Sequence, residues 1–283
     1  MPERFWRCTL RTRETIVENF PNWRLVLRWL PQSLFVALLA LSVPAPSLAQ
    51  EQPEPAQGQS QNQSASAPED ETQEQEARSV KTFFPNLLGD QKQVWSFPTR
   101  GDSWKKRGLW VAVGLSAASF SLDGCPAEKL RTDTSFKDFN EVFDSSGTDI
   151  ALAVLPLAIT GLGELAGSDA WTEIGWKTSE AAADAYLVAT VWKLGSQRSR
   201  PHEGKDYGFW DGGNSFPSGH ATVAWAIAAT TAHHFKDRKW VAWLVYPTAA
   251  IISFSRVSSG NHFPSDVVVG SALGFAIGRY AVQ

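Results

Sequence analysis

Along the second half of the chain, apolar residues recur at helical rather than strand spacing. Six runs rich in Ala, Leu and Val, at 108–122, 148–167, 180–194, 219–235, 239–255 and 265–281, show little alternation and read as helices. The pattern predicts an all-α helical bundle. The polar stretch 123–147 carries Asp123, Glu128, Asp133, Asp138, Glu141 and Asp144, and reads as a solvent-exposed loop. In the second run, Gly161 and Gly163 would permit close helix contact.

Upstream the pattern changes three times. Residues 1–49 open with Arg4, Arg7, Arg11, Arg13, Arg24 and Arg28, turn apolar from Trp29 to Val43, and end in Ser47-Leu48-Ala49. That is the layout of an export signal with a long basic front; an uncleaved anchor, or a start placed too early, are the alternatives. Either a signal or an anchor carries the following chain out of the cytoplasm. Residues 50–79 are Gln, Glu, Ser, Pro and Ala with almost nothing to bury, and read as a disordered acidic linker. Residues 80–107 mix Phe83, Phe84, Trp95, Phe97 and Trp104 with charges and prolines, and read as an extension of short helices or interfacial segments. The helical domain then occupies 108–283. With Cys8 in the signal segment, Cys125 has no intramolecular partner, so no disulfide framework is implied.

Composition changes this picture little. A formal net charge of -3 argues against a general nucleic-acid binder. Thirteen Trp and sixteen Phe beside four Tyr suit a membrane interface or a large soluble core equally.

The chemistry lies in three polar clusters at the ends of apolar runs: Lys193 to Pro201, Phe216 to His220, and Ser255 to Asp266. Lys193, Arg200 and Arg256 near helix termini suggest an anion with several oxygens, since arginine offers a planar donor fork and lysine a mobile point charge. Ser218 stands where an N-cap belongs, leaving first-turn N–H groups to meet an anion, and Gly219 lets the backbone approach it. Asp266, four residues after His262, would fix the histidine tautomer and leave the other ring nitrogen free to attack phosphorus. His220, at the other helix start, would protonate the leaving oxygen. If the helices alternate in direction, all these residues fall at one end of the bundle.

Together the clusters read K-x6-RP, PSGH and SR-x5-H-x3-D, and so resemble the signature of the type 2 phosphatidic acid phosphatase/haloperoxidase superfamily (PAP2-like). The resemblance covers about residues 150–282. It implies that Lys193, Arg200, Ser218, Gly219 and Arg256 hold phosphate, and that His262 becomes a phosphohistidine. Asp266 would orient His262, with His220 as acid and then as base for water. No metal or other cofactor is implied. His202, Asp211 and Asn214 are candidates for the pocket wall and entrance.

The implied substrate is a lipid phosphate or diphosphate (phosphatidate, a polyprenyl diphosphate or a lipid A-type headgroup), or small phosphate esters in a soluble form. Phosphoryl transfer, non-catalytic binding and vanadate-dependent halide oxidation are the rival readings. A spanning helix needs ~20 mostly apolar residues, and the second, fifth and sixth runs meet this. Lys236, Arg238 and Lys239 sit opposite the site and would lie inside. Five spans, with the first run packed alongside, therefore put the site on the periplasmic face of a bacterial-type inner membrane. A soluble or peripheral periplasmic enzyme is the alternative. Nothing in the sequence specifies an oligomeric state.

Overall fold

The computed structural model describes residues 80–100, 103–144, 146–203 and 208–280, and among these no strand occurs. The export segment and acidic linker expected over 1–49 and 50–79 lie outside the described residues. Helix α1 spans Val80–Arg100, α2 Ser103–Ser119, α3 Cys125–Thr132, α4 Lys137–Phe143 and α5 Ser146–Ala166. They are followed by α6 Asp169–Ser196, α7 Gly219–His234, α8 Lys239–Ser258 and α9 Pro264–Tyr280.

Helix α7 is the centre of the bundle. Its buried positions are mostly small: Ala221, Ala224, Ala226, Ala228 and Ala229 are all inaccessible. A helix apolar on every side belongs inside, and small side chains let α6, α8 and α9 close around it. Ala181, Ala185 and Val188 of α6 meet Val223, Ala226 and Ile277 of α7 and α9. On the other flank Ala224 and Ala228 meet Val241, Val245, Ala249 and Ile252 of α8. The closest approach is between α7 and α9. There Gly270, Gly274 and Gly278, one per turn, lie against the carbonyls of Ser218, Thr222 and Ala226, where a Cβ would collide. Gly163 makes a comparable close contact with Thr172 of α6, whereas Gly161, also expected at a contact, faces open space.

Four expectations need correction. The run at 180–194 is part of a 28-residue helix, because Asp169, Glu173 and Lys177 break the apolar pattern upstream of it without breaking the helix. Asp184, fully buried, accepts Gln91 Nε2 at 2.7 Å, and Glu180 accepts Asn86 Nδ2 at 3.2 Å. Those donors sit on α1, which is one 21-residue helix rather than short pieces. The stretch 123–147 is no exposed loop. It folds into α3 and α4, its Asp123 is 8% exposed, and Asn140 accepts Ser258 Oγ at 2.6 Å. Among the described residues two helical stretches, Thr134–Ala166 and Lys239–Ser258, are long and apolar enough to cross a membrane. The sixth run, as α9, is 17 residues and is not among them.

Candidate active site

Four helix ends meet at one end of the bundle, and the three polar clusters sit on them. Ser196 Oγ, closing α6, donates to Phe216 O at 2.8 Å. Ser218 N, before α7, donates to Asp266 O at 3.0 Å, and His262 N donates to Arg256 O at 3.0 Å. These bonds tie α6 to α7, α7 to α9, and the α8–α9 loop back onto α8.

His262 lies in that loop and is 2% exposed. Its Nδ1 faces Asp266 Oδ2 at 3.6 Å and Ser215 Oγ at 3.5 Å, which turns Nε2 to the opposite side of the ring. Burial pushes the imidazole down to about 4, with the Asp266 carboxylate pulling the other way. At neutral pH the ring is therefore uncharged and keeps a lone pair. Asp266 is held from several sides. Oδ2 accepts Ser215 Oγ at 2.5 Å and Phe263 N at 2.9 Å, while Oδ1 accepts Arg198 Nη1 at 2.6 Å.

Arg198 extends this network inward. It donates to Ser265 Oγ at 2.7 Å and to Asp123 Oδ2 at 2.8 Å, and its guanidinium lies 4.2 Å from the Phe263 ring centroid. Asp123 Oδ1 accepts Ser265 N at 2.9 Å. A buried arginine between two carboxylates, each of which also accepts from a hydroxyl and a backbone N–H, offsets much of the desolvation of the charges, while Arg198 Nε itself has no partner in the protein.

Of the residues expected to hold phosphate, Lys193 and Arg256 lie within electrostatic reach of His262. Asn214 ties two of them together: its carbonyl accepts Lys193 Nζ at 2.6 Å and its Oδ1 accepts Arg200 Nε at 2.8 Å. Gly219 lies beside Lys193, whose Cε would stand 3.7 Å from a Cβ there. Ser218 occupies the N-cap position of α7, but its hydroxyl makes no capping bond. Ser218 Oγ and Arg256 Nε are both buried without a hydrogen-bond partner in the protein. Unpaired buried polar groups cost ~1–3 kcal/mol each, and an oxyanion accepting from both would recover that cost. Arg256 Nη1 pairs with Asp144, which also accepts Asn261 Nδ2 at 2.5 Å. His220 Nε2 pairs with Asp149 of α5.

Of the remaining candidates, His202 is exposed and lies 3.4 Å from Gly260 O, and the Asp211 side chain is exposed while its N–H donates to Gln197 O. Asn214 is thus the one of these three that touches the cations. Sequence reading passed over Asp123, Asp144, Asp149, Arg198 and Ser215. The available signal was Arg198 itself, a further cation between Lys193 and Arg200. Among the described residues no group of three or more His, Cys, Asp or Glu is arranged to hold a metal ion.

Residues 176–283 match the PAP2 superfamily. The lipid A 1-phosphatase of Rhizobium etli is 36% identical over 189 residues, covering 59% of this chain and 78% of that relative. The lipid A 4'-phosphatase of Porphyromonas gingivalis is 32% identical over 77 residues, 27% of this chain and 32% of its own. The undecaprenyl-diphosphatase of Sulfolobus acidocaldarius is 39% identical over 69 residues, 24% of this chain and 32% of its own. The chain therefore aligns with about a third of the length of the last two relatives. No solved structure matches it.

Proposed function

The chain belongs to the PAP2 superfamily, and from that premise we propose that it hydrolyses a lipid phosphate or diphosphate without a metal ion, through a phosphohistidine at His262. The observation that carries this reading is one juxtaposition. A neutral, carboxylate-backed His262 shares a helix-end site with the unpartnered donors Ser218 Oγ and Arg256 Nε.

In this mechanism Lys193, Arg200, Arg256, Ser218 and the Gly219 N–H hold the phosphoryl oxygens and stabilise the charge that builds on them. His262 Nε2 attacks phosphorus as the bond to the leaving oxygen breaks, and His220 donates the proton that oxygen takes up. Asp266 stabilises the charge that develops on His262. Water then attacks the phosphohistidine and gives its proton to His220. The N–P bond breaks, phosphate leaves and His262 is restored.

A membrane location is supported by the two long apolar stretches and by large side chains facing outward. Val154, Leu157 and Leu162 on α5, and Trp240, Trp243 and Ile251 on α8, are all exposed. An apolar surface of this extent needs a cover, and a bilayer supplies one. The site would then sit at headgroup depth, facing the periplasm, with the relatives' lipid A and polyprenyl substrates as the nearest chemical guides.

The deciding assay is phosphate release without added metal by wild type and His262→Ala in detergent. Phosphatidate, a polyprenyl diphosphate, a lipid A phosphate and a soluble aryl phosphate form the panel. Release from the lipids, abolished in the variant, is the expected result. Hydrolysis of the aryl ester alone would replace the lipid reading with a general phosphatase. Appreciable turnover in His262→Ala would remove the covalent mechanism.

A further inference from the structure

Three of the site's polar residues each head an apolar stripe. Four and seven residues along α7 from His220 lie Ala224 and Ile227. Four and seven residues back along α8 from Arg256 lie Ile252 and Ala249. Three and seven residues along α5 from Asp149 lie Leu152 and Pro156. Steps of three, four and seven keep to one helix face. All six of these apolar residues line a single, partly open groove. The groove exists because α5 packs on α6 and leaves a cleft towards α8.

The lining selects the occupant. Apart from threonines the wall is apolar, and the hydroxyls of Thr178 and Thr231 are spent on their own helices, donating to Ile174 O at 2.7 Å and Ile227 O at 2.8 Å. A sugar or nucleoside would find few partners there. From Gly147 to Ile159 the groove follows α5 for about 18 Å at the helical rise. Its upper rim, at Phe143, Gly147 and Thr148, adjoins Asp144 and Asp149, the carboxylates on Arg256 and His220.

We propose that this groove, between α5 and α8 and floored by α7, holds one hydrocarbon chain of the substrate while its phosphate occupies the His262 cradle. The proposal rests on the phosphatase reading and adds where the tail lies: inside the bundle, leading straight down from the site. An extended chain fits a long, narrow, apolar cleft, and each methylene buried there contributes.

Two measurements on the full chain in detergent test it. Hexadecyl phosphate carrying a diazirine near the end of its chain would be photolysed with the protein and the adducts mapped by mass spectrometry. Labelling is expected on groove residues of α5 and α8 and should be displaced by unlabelled hexadecyl phosphate. Adducts confined to the outward faces, at Leu157, Leu162 or Trp243, would overturn the proposal. This arm needs no turnover, so it decides the groove even if the phosphatase reading fails. In the second arm Leu155→Trp, which fills the groove, should lower the ratio of kcat/KM for hexadecyl over butyl phosphate by about tenfold, the equivalent of displacing about two methylenes. An unchanged ratio in a folded variant would also overturn it.

Discussion

Arg198 Nη1 donates to Asp266 Oδ1 at 2.6 Å from a side chain only 2% exposed, although the two residues are 68 positions apart. This bond places a permanent cation behind the carboxylate that backs His262. Asp123 closes the arrangement from the α2–α3 connection, so the inner wall of the site is a carboxylate–guanidinium–carboxylate chain with His262 at its outer end. The proposed nucleophile is thus backed by buried side chains from α9, the α6–α7 connection and the α2–α3 connection.

Breaking that chain should cost both fold and rate. Arg198→Met would leave Asp123 and Asp266 buried without their counter-ion, and removal of one partner from a buried pair typically costs ~3–5 kcal/mol. Denaturant unfolding should show a loss of that order, with a large fall in kcat. Arg198→Lys keeps the charge but not the fork, and is expected to fall in between. A Met variant as stable as wild type would show that Arg198 is not what holds Asp266.

The pH dependence follows from His262. Burial lowers its pKa to about 4, and attack requires the neutral ring. As pH falls through about 4 the ring takes up a proton and the nucleophile is lost, so kcat/KM should stay high through weakly acidic pH and drop only below that point. Asp266→Asn removes the groups that hold the pKa up, and should move the acid limb further down while greatly lowering the rate. Both profiles can be measured on a soluble aryl phosphate. An acid limb near 6.5 in wild type, the ordinary imidazole value, would contradict a buried neutral His262.

What the sequence made legible was whatever depends on short-range spacing. Ser218 before an alanine-rich run and Lys193 near the end of an apolar stretch marked helix ends, and the ends are where the candidate site lies. Long-range pairing was not legible. Arg198 stood among spacer residues, and Asp123, Asp144 and Asp149 looked like ordinary acids in and beside a polar stretch. No local pattern distinguishes an exposed aspartate from one that meets an arginine 75 residues later. Helix α6 was cut short for a local reason: Glu173 and Lys177, which pair with each other at 2.9 Å one turn apart, break the apolar pattern before residue 180.

Asp149 offers a test of the acid step. Its carboxylate pairs with His220, the group assigned to protonate the leaving oxygen. General acid catalysis contributes typically ~10²–10⁴-fold, and it matters most when the leaving group is a poor one. Asp149→Asn should therefore slow alkyl phosphates by roughly tenfold or more and aryl phosphates less, because an aryl oxide leaves without help. Steady-state kinetics on the two ester classes would show the difference. Equal effects on both would mean that Asp149 acts on binding rather than on proton transfer.

One chemical change made at two glycines should have opposite signs. Gly274 of α9 lies where a Cβ would collide with the Thr222 carbonyl of α7, whereas a Cβ on Gly161 of α5 would meet nothing within 4 Å. In a helix interior alanine is favoured over glycine by about 1 kcal/mol, so Gly161→Ala should stabilise the bundle by up to that amount. Gly274→Ala has the same intrinsic gain but must push α7 away from α9, and overpacking of this kind costs ~1–3 kcal/mol. The displacement also reaches the site, because Ser218 and His220 ride on α7 while Asp266 rides on α9. Gly274→Ala should accordingly lose stability and lose more activity than its unfolding midpoint alone would suggest. Paired unfolding and activity measurements on the two variants decide the matter. A Gly274→Ala protein with wild-type kcat would show that α7 and α9 can separate without disturbing the geometry between Ser218 and Asp266.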